Sequence, residues 1–188
     1  FSQDPGGASF LAPAVVMLCN GGLMPDNILI LAHPFSEKTF NENSVPYVKL
    51  DNEIKSCPVS VHEWECFLKQ KNICTVVTST SSPYIDLTNC NLIEACRKKK
   101  CPTIGVLDHW KGMDRFFREK ELVYLPDEIC CIDEYCRNAI AKLGLNKKHI
   151  HIVGHPSLER VSANVVEKEF LDSKIVNILL VSQPFILD

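Results

Sequence analysis

The sequence predicts a doubly wound α/β domain with a mostly parallel sheet, followed at the carboxyl end by the first strand of a second domain. Three observations carry this. Short β-branched runs alternate with longer helical segments along most of the chain, the pattern of parallel strands covered by helices on both faces. A glycine pair near the start runs straight into an apolar stretch, as in the first strand-to-helix turn of such a domain. A last β-branched run, Val176-Asn177-Ile178-Leu179-Leu180-Val181, leads into Ser182-Gln183-Pro184 with nothing after it to close the unit. The alternative for that run is an extra strand of the first sheet.

The elements follow in order. Phe1-Ser2-Gln3 reads as the end of a first strand that is cut short, and Asp4-Pro5-Gly6-Gly7-Ala8-Ser9 as the turn into a helix over about 8–20. Adjacent glycines let the backbone turn sharply and approach a ligand, and the free N–H groups of the next helix favour an anion or hydroxyl there. Gly6 and Gly7 are therefore candidate substrate-binding positions. Later strands are expected at Asn27–Ala32, Tyr47–Leu50, Ile73–Thr78, Thr103–Asp108, Glu128–Asp133 and His149–Gly154, with helices near 35–43, 60–71, 87–100, 134–144 and 157–170. The helix at 87–100 is well marked: Asp86 or Thr88 can cap it, Leu87, Cys90, Ile93 and Ala95 form its buried side, and Arg97-Lys98-Lys99-Lys100 suit its carbonyl end. Pro102 stops it. The expected division is 1–156 for the first domain, 157–174 for a linker helix and 175–188 for the start of the second.

Composition sets the outer bounds. A chain of 188 residues and 21.2 kDa holds one domain with a buried core and the start of another element. A net charge of -3 and a pI near 6.1 give no general attraction to nucleic acid. No apolar run approaches the roughly 20 residues of a membrane span, and no basic signal-peptide region opens the chain, so a cytoplasmic protein is expected. Ten cysteines invite a disulfide or zinc-finger interpretation, but no Cys-x-x-Cys pair or zinc-finger Cys/His spacing is present. Several sit inside apolar runs, where a thiol behaves as a small hydrophobe. Reduced, structural cysteines are expected, with no metal and no cofactor.

The order and spacing of several short motifs add a resemblance. They are Asp4-Pro5-Gly6-Gly7-Ala8, Thr78-Ser79-Thr80-Ser81-Ser82, Gly105-Val106-Leu107-Asp108-His109-Trp110, Leu125-Pro126-Asp127-Glu128-Ile129 with Asp133-Glu134, and Ile152-Val153-Gly154-His155-Pro156-Ser157-Leu158-Glu159. Across nearly the whole chain the series resembles the amino-terminal, Rossmann-like half of a GT-B type glycosyltransferase. That superfamily also holds the UDP-N-acetylglucosamine 2-epimerases and the capsule or teichoic-acid transferases. The resemblance implies a first domain that holds a sugar or glycan acceptor and a nucleotide sugar bound through a second domain, with chemistry between them. The half present would be inactive alone. The epimerase branch usually carries His-x-Glu-Ala-Gly after the fifth strand, where this chain has Asp108-His109-Trp110-Lys111-Gly112.

Candidate functional residues all fall at the carboxyl ends of expected parallel strands, where ligands bind in open α/β sheets. Asp108 and His109 are the catalytic candidates, because a carboxylate beside an imidazole can poise it to take a proton from an attacking hydroxyl. Alternatively Asp108 caps the next turn and His109 packs against Trp110. Ser79, Thr80 and Ser81 could bind sugar hydroxyls or phosphate, or simply satisfy their own backbone. Glu134 could hold a substrate hydroxyl or stabilise the first turn of its helix. His155, between Gly154 and Pro156, either faces the cleft or belongs to a hinge. The segment His109–Lys120 mixes aromatic and basic residues and would suit peripheral contact with an anionic membrane, the alternative being core packing of Trp110, Phe116 and Phe117 with a solvated basic edge. An incomplete sheet would favour self-association as a homodimer. The other functional classes weighed are a sugar-nucleotide 2-epimerase half and a non-catalytic sugar- or nucleotide-binding module.

Overall fold

A computed structural model describes residues 1–21 and 28–157. The expected linker helix beyond Ser157 and the strand of a second domain lie outside the described residues. The helices are α1 (Pro5–Asn20), α2 (Pro34–Glu42), α3 (Leu50–Glu53), α4 (Val61–Gln70), α5 (Thr88–Lys99) and α6 (Glu134–Ala141). The strands are β1 (Leu31–Ala32), β2 (Val48–Lys49), β3 (Val76–Ser79), β4 (Thr103–Leu107), β5 (Phe117–Arg118), β6 (Glu121–Leu122), β7 (Glu128–Cys131) and β8 (Ile150–Ile152).

β3, β4, β7 and β8 form a parallel sheet in that order, and β1 pairs with β2 in parallel. Phe1–Gln3 joins the two. The Ser2 amide donates to the Leu31 carbonyl at 3.2 Å and the Ser2 carbonyl accepts from His33 at 3.0 Å. On the other side the Phe1 nitrogen donates to Val77 at 2.7 Å, and the Ser79 amide donates to the Phe1 carbonyl at 3.1 Å. The spatial order is thus β2, β1, Phe1–Gln3, β3, β4, β7, β8. The chain winds outward in one direction from Phe1–Gln3 and then in the other from β3. That reversal is a topological switch point, where the loops of neighbouring strands part and leave a crevice.

The two largest apolar clusters among the described residues lie on the sheet's flanks. One gathers Leu50, Trp64, Phe67, Leu68, Val76, Leu92 and Cys96; the other gathers Phe10, Val106, Leu107, Phe116, Ile129, Cys131, Ile140 and Ile150. Trp64 is 1% exposed, and its indole N–H donates to the Thr88 carbonyl at 2.9 Å, so its polar atom is satisfied within the apolar contact of α4 with α5. A capping box starts α4: the Ser60 hydroxyl accepts from the Glu63 amide while the Glu63 carboxylate accepts from the Ser60 amide at 2.9 Å.

α1 begins three residues earlier than its apolar run suggests. Asp4 caps it, accepting from the Gly7 amide at 2.7 Å, and Pro5 takes the first helical position, where its missing N–H has no consequence. Gly6 and Gly7 therefore lie within the first helical turn and not in a free loop. Pro13 sits mid-helix and cannot donate to the Ser9 carbonyl. The Ser157 hydroxyl takes that place, donating to Ser9 at 2.9 Å and tying the end of the described chain to α1.

Other expectations change as well: the strand expected over Tyr47–Leu50 is only Val48–Lys49, and Leu50 opens the short helix α3. Leu87, expected on the buried side of α5, is 38% exposed, because it precedes the first turn, and the buried side is built by Cys90, Leu92, Ile93, Ala95 and Cys96. The aromatic and basic segment forms a 3-10 turn, Met113–Phe116, and the antiparallel pair β5–β6. Phe116 enters the core, whereas Trp110 stays half exposed with its N–H on Asp133 at 2.8 Å.

Candidate functional site

At the switch point a cavity of about 430 Å³ opens beyond the carboxyl ends of Phe1–Gln3, β3 and β4. That volume lies in the range of small-molecule sites. Gln3 and Asp4 supply one side, Thr80, Ser81 and Ser82 a second, and Asp108, His109, Lys111 and Arg115 a third, with Phe35 and Ile85 as apolar wall.

Hydrogen bonds fix its floor. Gln3 joins the two sheet halves: its amide donates to the Ser79 hydroxyl at 3.1 Å, its side-chain amide donates to the Asp86 carbonyl at 3.0 Å, and its side-chain oxygen accepts from the Asn89 amide at 2.6 Å. Buried Asn89 donates to the Thr78 hydroxyl at 2.7 Å and accepts from the Ser81 amide at 3.1 Å. Such fully paired buried networks hold a loop in one arrangement. The Thr80 hydroxyl donates to the Val106 carbonyl at 2.9 Å, tying the hydroxyl loop to β4.

Of the sequence candidates, Thr80, Ser81, Asp108 and His109 come together as cavity lining. Gly6, Gly7 and Ser79 lie beneath it. A Cβ on Gly6 would overlap the Asp108 carboxylate, and one on Gly7 would overlap the Ser79 Cβ, so both glycines serve the close approach of α1 to the strand ends. The Asp4 carboxylate already occupies the start of α1, accepting from the Gly7 amide and from the Ser81 hydroxyl. A helix end capped by its own anion is a poor place for a second one. Glu134 does not line the cavity and pairs with Arg137 at 2.6 Å in the first turn of α6. His155 packs edge-on against Phe10, ring centroids 5.3 Å apart, and its Nδ1 is buried without a hydrogen-bond partner among the described residues.

Asp108 and His109 are arranged as two separate cavity groups. Nδ1 of His109 accepts from the Lys111 amide at 3.1 Å. The Asp108 carboxylate instead faces Arg115 at 3.9 Å. Burial, and then the charge of Asp4, push the Asp108 carboxyl above the ordinary aspartate range, with the Arg115 guanidinium opposing them.

Arg115 was not among the candidates. Its Nε donates to the Gly112 carbonyl at 2.9 Å, and another nitrogen donates to the Thr80 carbonyl. Gly112, at φ 76°, supplies the left-handed turn that brings Arg115 back over the cavity. In sequence this arginine sits in a run of aromatic and basic residues that marks no single one of them. A second group lies beside the cavity: among the described residues, His33, Cys57 and Asp86 have potential ligand atoms within 4.8 Å of one another. No helix among the described residues is long and apolar enough to cross a membrane.

No protein-family model and no curated protein sequence matches the chain. Solved structures do. A UDP-GlcNAc 2-epimerase from Methanocaldococcus jannaschii, in complex with UDP-GlcNAc and UDP, is similar at a TM-score of 0.62 and 16% identity, over 87% of this chain and 48% of that one. The Neisseria meningitidis enzyme bound to UDP-GlcNAc is similar at a TM-score of 0.58 and 13% identity, over 87% of this chain and 49% of its own. The Rickettsia bellii enzyme is similar at a TM-score of 0.56 and 13% identity, over 91% of this chain and 48% of its own. The described residues therefore have the Rossmann-like fold of one half of a GT-B type structure, and the chain spans about half the length of the structures it matches.

Proposed function

We propose that this chain is the sugar-facing half of a GT-B type enzyme acting on a nucleotide sugar of the UDP-N-acetylhexosamine class, and that the switch-point cavity receives the sugar. The observation that carries the proposal is the cavity's make-up: two carboxyl groups, Asp4 and Asp108, share it with the hydroxyls of Thr80 and Ser81 and with the cations of Lys111 and Arg115. Carboxylates and hydroxyls suit sugar hydroxyl groups, and the cationic side suits a diphosphate. The similar epimerases, two of them holding UDP-GlcNAc, support that ligand class.

In this proposal Asp108 is the proton-transfer group. Epimerisation at a carbon that bears hydrogen needs a group to remove a proton and one to return it, and a carboxyl whose proton affinity is raised serves better than an ordinary aspartate. His109 stands beside it with Nδ1 engaged by the Lys111 amide, which in the neutral ring leaves the proton on Nε2 for donation. Arg115 limits the rise in Asp108 and faces developing negative charge.

A second proposal keeps the fold and changes the reaction: the cavity holds the acceptor of a glycosyltransferase, and Asp108 or His109 deprotonates its hydroxyl. The segment Asp108-His109-Trp110-Lys111-Gly112 favours it, since it departs from the usual epimerase His-x-Glu-Ala-Gly. Saturation-transfer NMR with UDP-GlcNAc tests the first proposal. Sugar-ring protons should receive saturation from the wild-type protein and lose it with Asp108→Ala. No transfer to the sugar, or transfer unchanged by Asp108→Ala, rejects the first proposal, since in the second the acceptor and not UDP-GlcNAc occupies the cavity. Appearance of the 2-epimer in the same tube selects the first.

A further inference from the structure

We propose that His33, Cys57 and Asp86 form a binding site for one thiophilic divalent cation of the zinc type, separate from the chemistry assigned to the cavity. Three segments converge to build it: the residue after β1, the loop between α3 and α4, and the loop before α5. Nε2 of His33 lies 3.8 Å from Sγ of Cys57 and 3.8 Å from Oδ2 of Asp86, and Cys57 Sγ lies 3.3 Å from the same oxygen.

That triangle has the size of a tetrahedral zinc face. Bonds of about 2.3 Å to a thiolate and about 2.0–2.2 Å to imidazole and carboxylate, at tetrahedral angles, separate the ligand atoms by about 3.4–3.6 Å. Each observed edge differs from that by less than about 0.5 Å. Charge balances too, since a thiolate, a carboxylate and a neutral imidazole cancel the two charges of the cation. A sulfur and a nitrogen among three donors disfavour magnesium and calcium, which require oxygen. Three protein ligands leave a fourth position for water or a ligand group.

The surroundings hold the donors in place. The other Asp86 oxygen accepts from the Thr88 amide at 2.6 Å, which turns Oδ2 toward the cluster. His33 is buried at 1% exposure and packs against Phe35 with the rings tilted and their centroids 4.6 Å apart. Cys57 is exposed and gives the cation an entry from solvent. Ligation through Nε2 places the ring proton on Nδ1 and displaces the Phe35 amide, which approaches that nitrogen at a long 3.3 Å. This cost sets the affinity below that of closed structural zinc sites. Phe35 and Gln3 also line the cavity, so the two sites share a wall.

The test is zinc uptake by the reduced, metal-stripped protein, measured by competition with a chromophoric zinc indicator. One equivalent should bind with micromolar affinity. Cys57→Ala and Asp86→Asn should each weaken it by about a hundredfold or more. Cys66→Ala, which removes an exposed thiol 3.7 Å from His62, should leave that equivalent unchanged. Cobalt(II) provides a second readout, a thiolate-to-metal charge-transfer band present in the wild type and absent in Cys57→Ala. Circular dichroism of the exposed-site variant Cys57→Ala confirms that the loss is not unfolding. No uptake, or uptake that survives both ligand substitutions, overturns the proposal and leaves a hydrogen-bonded triad.

Discussion

Gly6 and Gly7 are neighbours, and alanine at each should do opposite things. At Gly7 the new Cβ would overlap the Ser79 Cβ. Both atoms are fixed to backbone, so neither can swing aside. Non-bonded carbons rest about 3.5–4.0 Å apart, so the first turn of α1 must move away from β3. With both atoms anchored to backbone, overpacking here takes the upper part of its usual range, about 2–3 kcal/mol, and the better helix propensity of alanine offsets about 1 kcal/mol of it. Gly7→Ala should therefore lose about 1–2 kcal/mol, a fall in melting temperature of about 2–8 °C for a chain of this size. At Gly6 the Cβ meets the carboxylate of Asp108, the end of a side chain that can rotate. Stability should then stay within about 0.5 kcal/mol of wild type, while Asp108 is driven off its position and saturation transfer to the sugar falls. Thermal denaturation and ligand NMR on the two variants separate the effects. A Gly7→Ala protein as stable as wild type would refute the packing argument, and a Gly6→Ala protein with full saturation transfer would refute the role given to Asp108.

Asp108→Asn should stabilise the protein at neutral pH while abolishing sugar binding. The folded-state pKa of Asp108 is raised above its ordinary 3.8, so its contribution is fully favourable below that value and is lost as pH rises through the folded pKa. The variant's advantage in melting temperature should accordingly appear above pH 4 and vanish at lower pH; a pH-independent difference would contradict this. Glu63 has the opposite sign: hydrogen bonds from Ser56 and Ser60 hold its carboxyl at about 2 instead of 4.5. The stability lost in Glu63→Ala should be largest above pH 4.5 and shrink as pH falls toward 2, and melting curves at several pH values would show it. Trp64→Ala should cost about 3–5 kcal/mol, read in chemical denaturation, since it empties the contact between α4 and α5 and orphans the Thr88 carbonyl. A loss below about 1 kcal/mol would mean that the core closes over the gap.

Much of this architecture was legible in the residues. Strands such as Thr103–Leu107 and Glu128–Cys131 announce themselves because parallel strands buried on both faces are short apolar runs. Thr80, Ser81 and Asp108 could be named because strand ends are where open α/β sheets place ligands. The start of α1 is marked by Asp4-Pro5, a stronger helix-start signal than the glycine pair that follows it. Other features depend on contacts between distant segments. Gln3 gains its importance only when strand order sets it beside Asn89, 86 positions away. Arg115 reaches the cavity only because Gly112 turns the chain back. His33, Cys57 and Asp86 are separated by intervals of 24 and 29 residues, a spacing that resembles no metal-binding motif.

The decisive measurement is a titration of isotopically labelled protein with UDP-GlcNAc, followed by the backbone amide resonances. Shifts should concentrate on Gln3, Asp4, Thr80, Ser81 and the stretch from Asp108 to Arg115. Shifts centred instead on the shallow groove between Asn41 and Asn52, or no shifts at ligand concentrations that saturate such enzymes, would contradict the assignment of the switch-point cavity as the sugar site.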